Sequence, residues 1–147
     1  MLSAKKKVII SACILGEYCR YDGKTKEFSS VKEIYKDYEI IPFCPEAPLF
    51  GTPRERISVV EVEGEHRIIT DETDVDVTAL LRDEINAFVE KNPQIDAIVL
   101  KSKSPSCGYK TTPILNAKKE ILRYDSGLAA KILDEKYKDI NILDENL

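Results

Sequence analysis

The 147-residue sequence predicts an α/β fold: a mainly parallel, Rossmann-like sheet flanked by helices, with a small β-hairpin insertion. Three observations carry that expectation. Short apolar, β-branched runs alternate with stretches of helical periodicity, the pattern of strands joined by helical crossovers. Three of those runs lead into a loop that carries a cysteine. The length and the ordinary composition, 43% hydrophobic and 33% charged, suit one domain, 1–147, large enough to bury a core.

The elements follow in order. Lys7-Val-Ile-Ile-Ser11 reads as a buried first strand, with Gly16 and Gly23 marking the loop beyond it. Ser29 or Ser30 can cap a brief helix with Val31, Ile34 and Tyr35 on one face. Glu39-Ile-Ile-Pro-Phe43 is a second strand that ends at Cys44-Pro45. Residues 46–56 are expected to be irregular, too rich in proline for a helix. Ile57–Val62 and His66–Thr70 flank Gly64 as a hairpin, with His66 taken as a turn residue. Asp74 or Asp76 then precedes the clearest helix. Val77, Leu80, Leu81, Ile85, Phe88 and Val89 form its stripe, and Asn92-Pro93 stops it. Ile95–Leu100 is the third main strand and runs into Ser104-Pro-Ser-Cys107-Gly108. Leu128, Ile132 and Leu133 mark a last helix, and Ile140–Leu143 an edge-like run.

The composition excludes several function classes. A net charge of −4, with 7% aromatic residues and no tryptophan, argues against a nucleic-acid-binding surface. The lysines at 101, 103, 110, 118 and 119 read as solvated side chains beside a loop. No run of 18 apolar residues is present, so no membrane span is expected. The basic start is followed by an apolar run that Cys13, Gly16 and Cys19 interrupt too early for a secretory signal, so a cytoplasmic protein is expected. With one histidine, His66, the usual Ser/His and Cys/His nucleophile pairs have no second candidate.

The chemistry is expected at the cysteines. Parallel sheets bind ligands beyond the carboxyl ends of their strands, and Cys13, Cys44 and Cys107 should all arrive at that edge. In a reducing compartment, clustered thiols serve metals or catalysis more often than disulfides. Paired Cys-x2–4-Cys knuckles, the mark of structural zinc, are missing, as is the Cys-x-x-Cys of a thiol–disulfide enzyme. An iron–sulfur cluster needs thiolates; held by three, it would leave one iron open to a substrate atom. Buried structural cysteines are the plain alternative, and Cys19 is the residue it suits best.

Five motifs, in order, then carry a resemblance: Ser11-Ala-Cys13-Ile-Leu-Gly16, Cys19-Arg-Tyr-Asp-Gly23, Cys44-Pro-Glu46, Thr52-Pro-Arg54 and Ser104-Pro-Ser-Cys-Gly108. Over nearly its whole length the chain resembles the thiouracil desulfidases, small proteins once grouped as a domain of unknown function. The resemblance implies a 4Fe–4S cluster on Cys13, Cys44 and Cys107, with the fourth iron bare of protein ligands. It implies a small thiolated pyrimidine as substrate and non-redox conversion of its C=S to C=O with release of hydrosulfide. Glu46 matches the family's catalytic glutamate, and Ser104, with Ser102 as competitor, its catalytic serine. Cys19 also belongs to the pattern and competes as a ligand. The stretch Tyr109-Lys-Thr-Thr-Pro-Ile-Leu departs from the glycine-rich segment common after the last cysteine, and the second domain that many members carry is not expected here. Other readings are an iron–sulfur sensor or sulfur carrier without turnover, and a desulfidase of thiolated nucleosides or tRNA.

Overall fold

The computed structural model describes residues 5–15, 29–51 and 54–146. Sheet A is wholly parallel, in the order β2-β1-β5-β8. Its strands are β1 (Lys7–Ser11), β2 (Glu39–Phe43), β5 (Ala97–Val99) and β8 (Ile142–Leu143). Between them lie α1 (Ser29–Ile34), α3 (Thr78–Lys91) and α4 (Leu128–Lys136).

β1 is apolar without alternation because both of its faces are covered. Val8 and Ile10 pack with Ile14, Val31, Tyr35 and Val99 on the α1 side. Ile9 faces the other way, into the main core with Ile98, Leu81, Ile85 and Leu133. Val8, Ile9 and Ile10 are all fully buried. Each contributes roughly 1.5–3 kcal/mol through removal of its side chain from water. Sheet A is therefore the central layer, and its carboxyl edge is held in place from both sides.

The hairpin of the sequence belongs to a second sheet rather than standing as a small insertion. β3 (Ile57–Val62) and β4 (Glu65–Thr70) are antiparallel neighbours, as expected. β3 then pairs in parallel with β6 (Thr112–Leu115), and β6 in antiparallel with β7 (Ile121–Asp125). Sheet B thus runs β4-β3-β6-β7. Ile57, Val59, Ile68 and Ile114 from sheet B join the main core. Sequence reading gave no strand at β7 because its residues, Ile121 to Tyr124, are exposed on both faces and show no alternation. His66 lies within β4, opposite Glu61, and is not a turn residue.

Two stripes are narrower than expected. Leu80 in α3 and Ile34 in α1 are 54% and 53% exposed and point away from the core. Asp76 starts α3: its Oδ1 accepts from the Thr78 amide at 3.0 Å and the Thr78 hydroxyl at 2.6 Å. Asn92 ends it, its side-chain amide donating to the Phe88 carbonyl at 2.9 Å. A further short helix, α2 (Ala47–Phe50), occupies part of the stretch expected to be irregular. Its proline, Pro48, stands in the first turn, where no amide donor is required. No helix among the described residues is long and apolar enough to cross a membrane.

Candidate functional site

One cavity of about 330 Å³ opens at the carboxyl edge of sheet A, and its wall includes Cys13, Cys44, Glu46, Arg54, Ser104 and Cys107. The convergence expected of the three cysteines is what the structure has. Cys13 sits in the 3-10 turn Ala12–Leu15 directly after β1. Cys44 follows β2, and its Sγ accepts the Ala47 amide of α2 at 3.4 Å. Cys107 is carried by the long loop after β5, and its thiol is buried. Cys19, Arg20, Thr52 and Pro53, which the sequence motifs singled out, lie outside the described residues.

The Cys107 loop is braced along its length. Ser104 Oγ accepts the Cys107 amide at 3.1 Å and the Ser106 amide at 3.4 Å. The Thr112 hydroxyl donates to the Ser104 carbonyl at 2.6 Å. Behind the loop stands the start of α4, where the Ala129 amide donates to the Ser106 carbonyl at 2.9 Å and Gly127 N donates to the Gly108 carbonyl at 2.8 Å. Both glycines are required by space. A Cβ on Gly108 would lie 2.2 Å from Thr112 Oγ1, and one on Gly127 would lie 2.6 Å from the Pro105 and Ser106 carbonyl oxygens. The backbone enters the left-handed region at Lys103 (φ 62°) and Lys110 (φ 61°), one on either side of the loop. Hydrogen bonds from Lys103 N to Thr111 Oγ1 and from Lys110 N to Ser126 Oγ hold those bends.

Glu46 is buried with both oxygens engaged. Oε1 accepts from Arg54 Nη2 at 3.3 Å and Nε at 3.4 Å, in an ion pair almost closed to solvent. Arg54 Nη1 donates to the Gly51 carbonyl at 2.9 Å, which fixes the guanidinium. Oε2 accepts from the Ser106 hydroxyl at 2.6 Å. Ser106 is fully buried and is not among the serines, Ser104 and Ser102, that the sequence nominates. The only hint was its place beside Cys107, since its partner lies 60 positions away.

The two serines the sequence did nominate are placed differently. Ser104 is in the cavity wall and its oxygen supports the loop amides, which leaves its proton available for donation. Ser102 also lines the wall, but its hydroxyl donates to Glu145 Oε2 at 2.6 Å. Glu145 further accepts the Ser102 amide at 2.7 Å and the Lys101 ammonium at 2.9 Å. A carboxylate from beyond β8 thus fastens one wall of the cavity.

That fastening gives a pH prediction. Burial pushes the Glu145 carboxyl up, but the hydroxyl, amide and ammonium outweigh it and hold the group at about 2, against 4.5 for an unperturbed glutamate. The folded value is the lower one, so the stabilisation is complete above about pH 5 and fades as pH falls towards 2. Urea unfolding of Glu145→Gln between pH 6 and 3 should show a shallower acid loss than the parent. Equal slopes would refute the assignment.

The thiols carry their own electrostatic signature. Burial first, then the negative charge of Cys44, Glu46 and Cys13, pushes the Cys107 thiol well above the ordinary range, with only the Ser11 hydroxyl opposing. Four groups that are anionic when ionised share one wall, so a cation bound beside Cys107 would favour its thiolate. Among the described residues, no group of three or more His, Cys, Asp and Glu side chains is gathered to hold a single metal ion. The thiols line the walls of a common cavity, an arrangement that suits a polynuclear group whose metals each take one thiolate. His66 is not among the residues that line the cavity and is placed between Arg123 Nη2 (3.2 Å) and Lys131 Nζ (2.8 Å).

Fold and site together define an α/β protein with a strand-end cavity lined by thiols and a buried Glu–Arg–Ser network. The chain belongs to the 2-thiouracil desulfurase family, whose model matches residues 8–145. It is similar to the Bacillus subtilis (strain 168) protein YbbK, itself described as uncharacterised, at 29% identity over 111 residues, 69% of this chain and 72% of that one. Among solved structures it is similar to the 4Fe–4S-dependent thiouracil desulfidase TudS (DUF523Vcz). The TM-score is 0.70 at 28% identity, over 97% of this chain and 92% of the other. The fold expected from the sequence, mainly parallel and flanked by helices, is the one observed.

Proposed function

We propose that the protein is a thiouracil desulfidase that uses a 4Fe–4S cluster held by Cys13, Cys44 and Cys107. The observation that carries this reading is the meeting of three strand-end thiols and a buried glutamate in one cavity, in a chain of the 2-thiouracil desulfurase family. Family membership and likeness to the cluster-dependent TudS support the cofactor and the substrate class.

When bound, the cluster supplies an iron open to the substrate's sulfur, a soft Lewis acid that makes sulfur a better leaving group. The protein's residues do the rest. Glu46, oriented by Arg54, accepts a proton from water. The Ser104 hydroxyl, in the same wall, donates a hydrogen bond that aims that water at the thiocarbonyl carbon. The oxygen–carbon bond forms, the hydroxyl proton left on the adduct passes to sulfur as the carbon–sulfur bond breaks, sulfur leaves as hydrosulfide, and Glu46 returns its proton to solvent. The ring keeps the water's oxygen as a carbonyl, and no net electron transfer occurs. Pro45, Pro105, Phe43 and Ile57 supply apolar wall for a flat ring.

The direct test is iron and acid-labile sulfide per chain after anaerobic reconstitution, for the parent and for Cys19→Ala, followed by 2-thiouracil turnover. About four of each in both proteins, with many turnovers, is the expected result. Absence of iron, or zinc in its place, would overturn the cofactor assignment. Loss of the cluster in Cys19→Ala would replace the three-ligand site with a four-ligand one. A single equivalent of sulfide without turnover would make the protein a carrier.

A further inference from the structure

The Glu46 carboxylate has one oxygen held by Arg54 and the other by Ser106. With Arg54 alone, the terminal torsion of a glutamate is soft, and the second oxygen could swing towards or away from the cavity. The Ser106 hydroxyl removes that freedom. At 2.6 Å its hydrogen bond is short and charge-assisted. Its own position is set by backbone: the Ser106 carbonyl accepts the Ala129 amide at 2.9 Å and the Ala130 amide at 3.3 Å, at the start of α4. The same hydroxyl lies 3.9 Å from Cys107 Sγ, so it stands between the carboxylate and the buried thiol.

We propose that Ser106 is a positioning residue for Glu46, fixing the carboxylate in the one orientation that faces the thiol-lined cavity. The proposal rests on the desulfidase reading above and assigns Ser106 a part distinct from that of Ser104. Ser104 braces the loop through amides and faces the reacting water, whereas Ser106 acts only through Glu46. Ser106 can lose its oxygen without loss of the bracing, because the contacts that hold the loop come from Ser104, Thr112, Gly127 and Ala129.

The experiment compares four proteins: the parent, Ser106→Ala, Glu46→Gln and the double variant. Ser106→Ala should keep its iron and sulfide content and bind 2-thiouracil within twofold of the parent, while kcat falls about tenfold or more. In the Glu46→Gln background, the same change should lower kcat by less than twofold, since no carboxylate remains to be placed. Urea unfolding of the four cluster-free proteins supplies a readout independent of turnover. There, Ser106→Ala should lower the unfolding equilibrium constant at least threefold more in the parent than in the Glu46→Gln background. Equal losses in both backgrounds, or an undiminished kcat in Ser106→Ala, would overturn the proposal. Failure of the desulfidase reading has a different mark, a parent without turnover, whereas Glu46→Gln with full kcat would overturn the role of Glu46 as base and with it the part assigned to Ser106. The unfolding cycle then still decides whether Ser106 and Glu46 are coupled.

Discussion

Glu46→Gln is expected to retain its iron–sulfur content and to lose turnover by roughly 10²-fold or more, the size of effect that removal of a general base produces. The substitution is nearly isosteric, so Arg54 Nε and Nη2 still find an oxygen and the Ser106 hydroxyl still finds a partner. The chemical capacity is what changes: a primary amide does not accept a proton from water at neutral pH. The buried arginine also loses its counter-charge. Some destabilisation, on the order of 1–3 kcal/mol, should accompany the kinetic loss. The measurement is steady-state desulfuration of 2-thiouracil together with iron and sulfide analysis on one preparation. A variant with a full cluster and full kcat would remove Glu46 from proton transfer and leave it as the anchor of the Cys44 loop.

Among the described glycines, Gly127→Ala should be the most damaging addition of a methyl group, since its clashes are with backbone. The added carbon would meet two carbonyl oxygens at 2.6 Å, both belonging to the backbone that leads into Cys107. Backbone cannot swing aside as a side chain can, so either α4 retreats or the cysteine loop moves. A cost of about 3 kcal/mol is expected, equivalent to a thermal midpoint about 10 °C lower for a domain of this size. The cluster should load incompletely as well, because Cys107 moves with the loop. Differential scanning of the cluster-free protein separates the two effects. An unchanged midpoint with full iron content would show that the α4–loop junction has slack.

The sheet-A strands and the main helix were legible because each is governed by local pattern. Val8–Ile10 has no alternation because it has no solvent face, and α3 keeps its stripe at Leu81 and Ile85. The gathering of Cys13, Cys44 and Cys107 was legible for a topological reason: parallel strands deliver their following loops to one edge. Ser106 and Glu145 were not, because their partners lie 60 and 43 positions away and nothing nearby announces them. Sheet B was half hidden. β7 exposes Ile121, Leu122 and Tyr124 and so lacks the periodicity that reveals a strand. α2 is hidden because proline reads as a helix breaker in the sequence, whereas Pro48 stands in the first turn, where it is tolerated.

The all-parallel order of sheet A has a kinetic consequence. Every pairing in it joins strands distant in sequence: β1 must wait for β2 on one side and for β5 on the other, and β5 for β8. Such closures are slow, because chain entropy is lost before the long-range contacts form. Until they do, the three cysteines belong to separate stretches of an open chain, each a lone thiol with ordinary reactivity. The cavity is therefore complete only once both neighbours of β1 are in place, because β2 leads into Cys44 and β5 into the Cys107 loop. Cofactor loading is thus a step of the finished fold, and the nascent chain's exposure to oxidants is set by how fast one central strand gains its two neighbours.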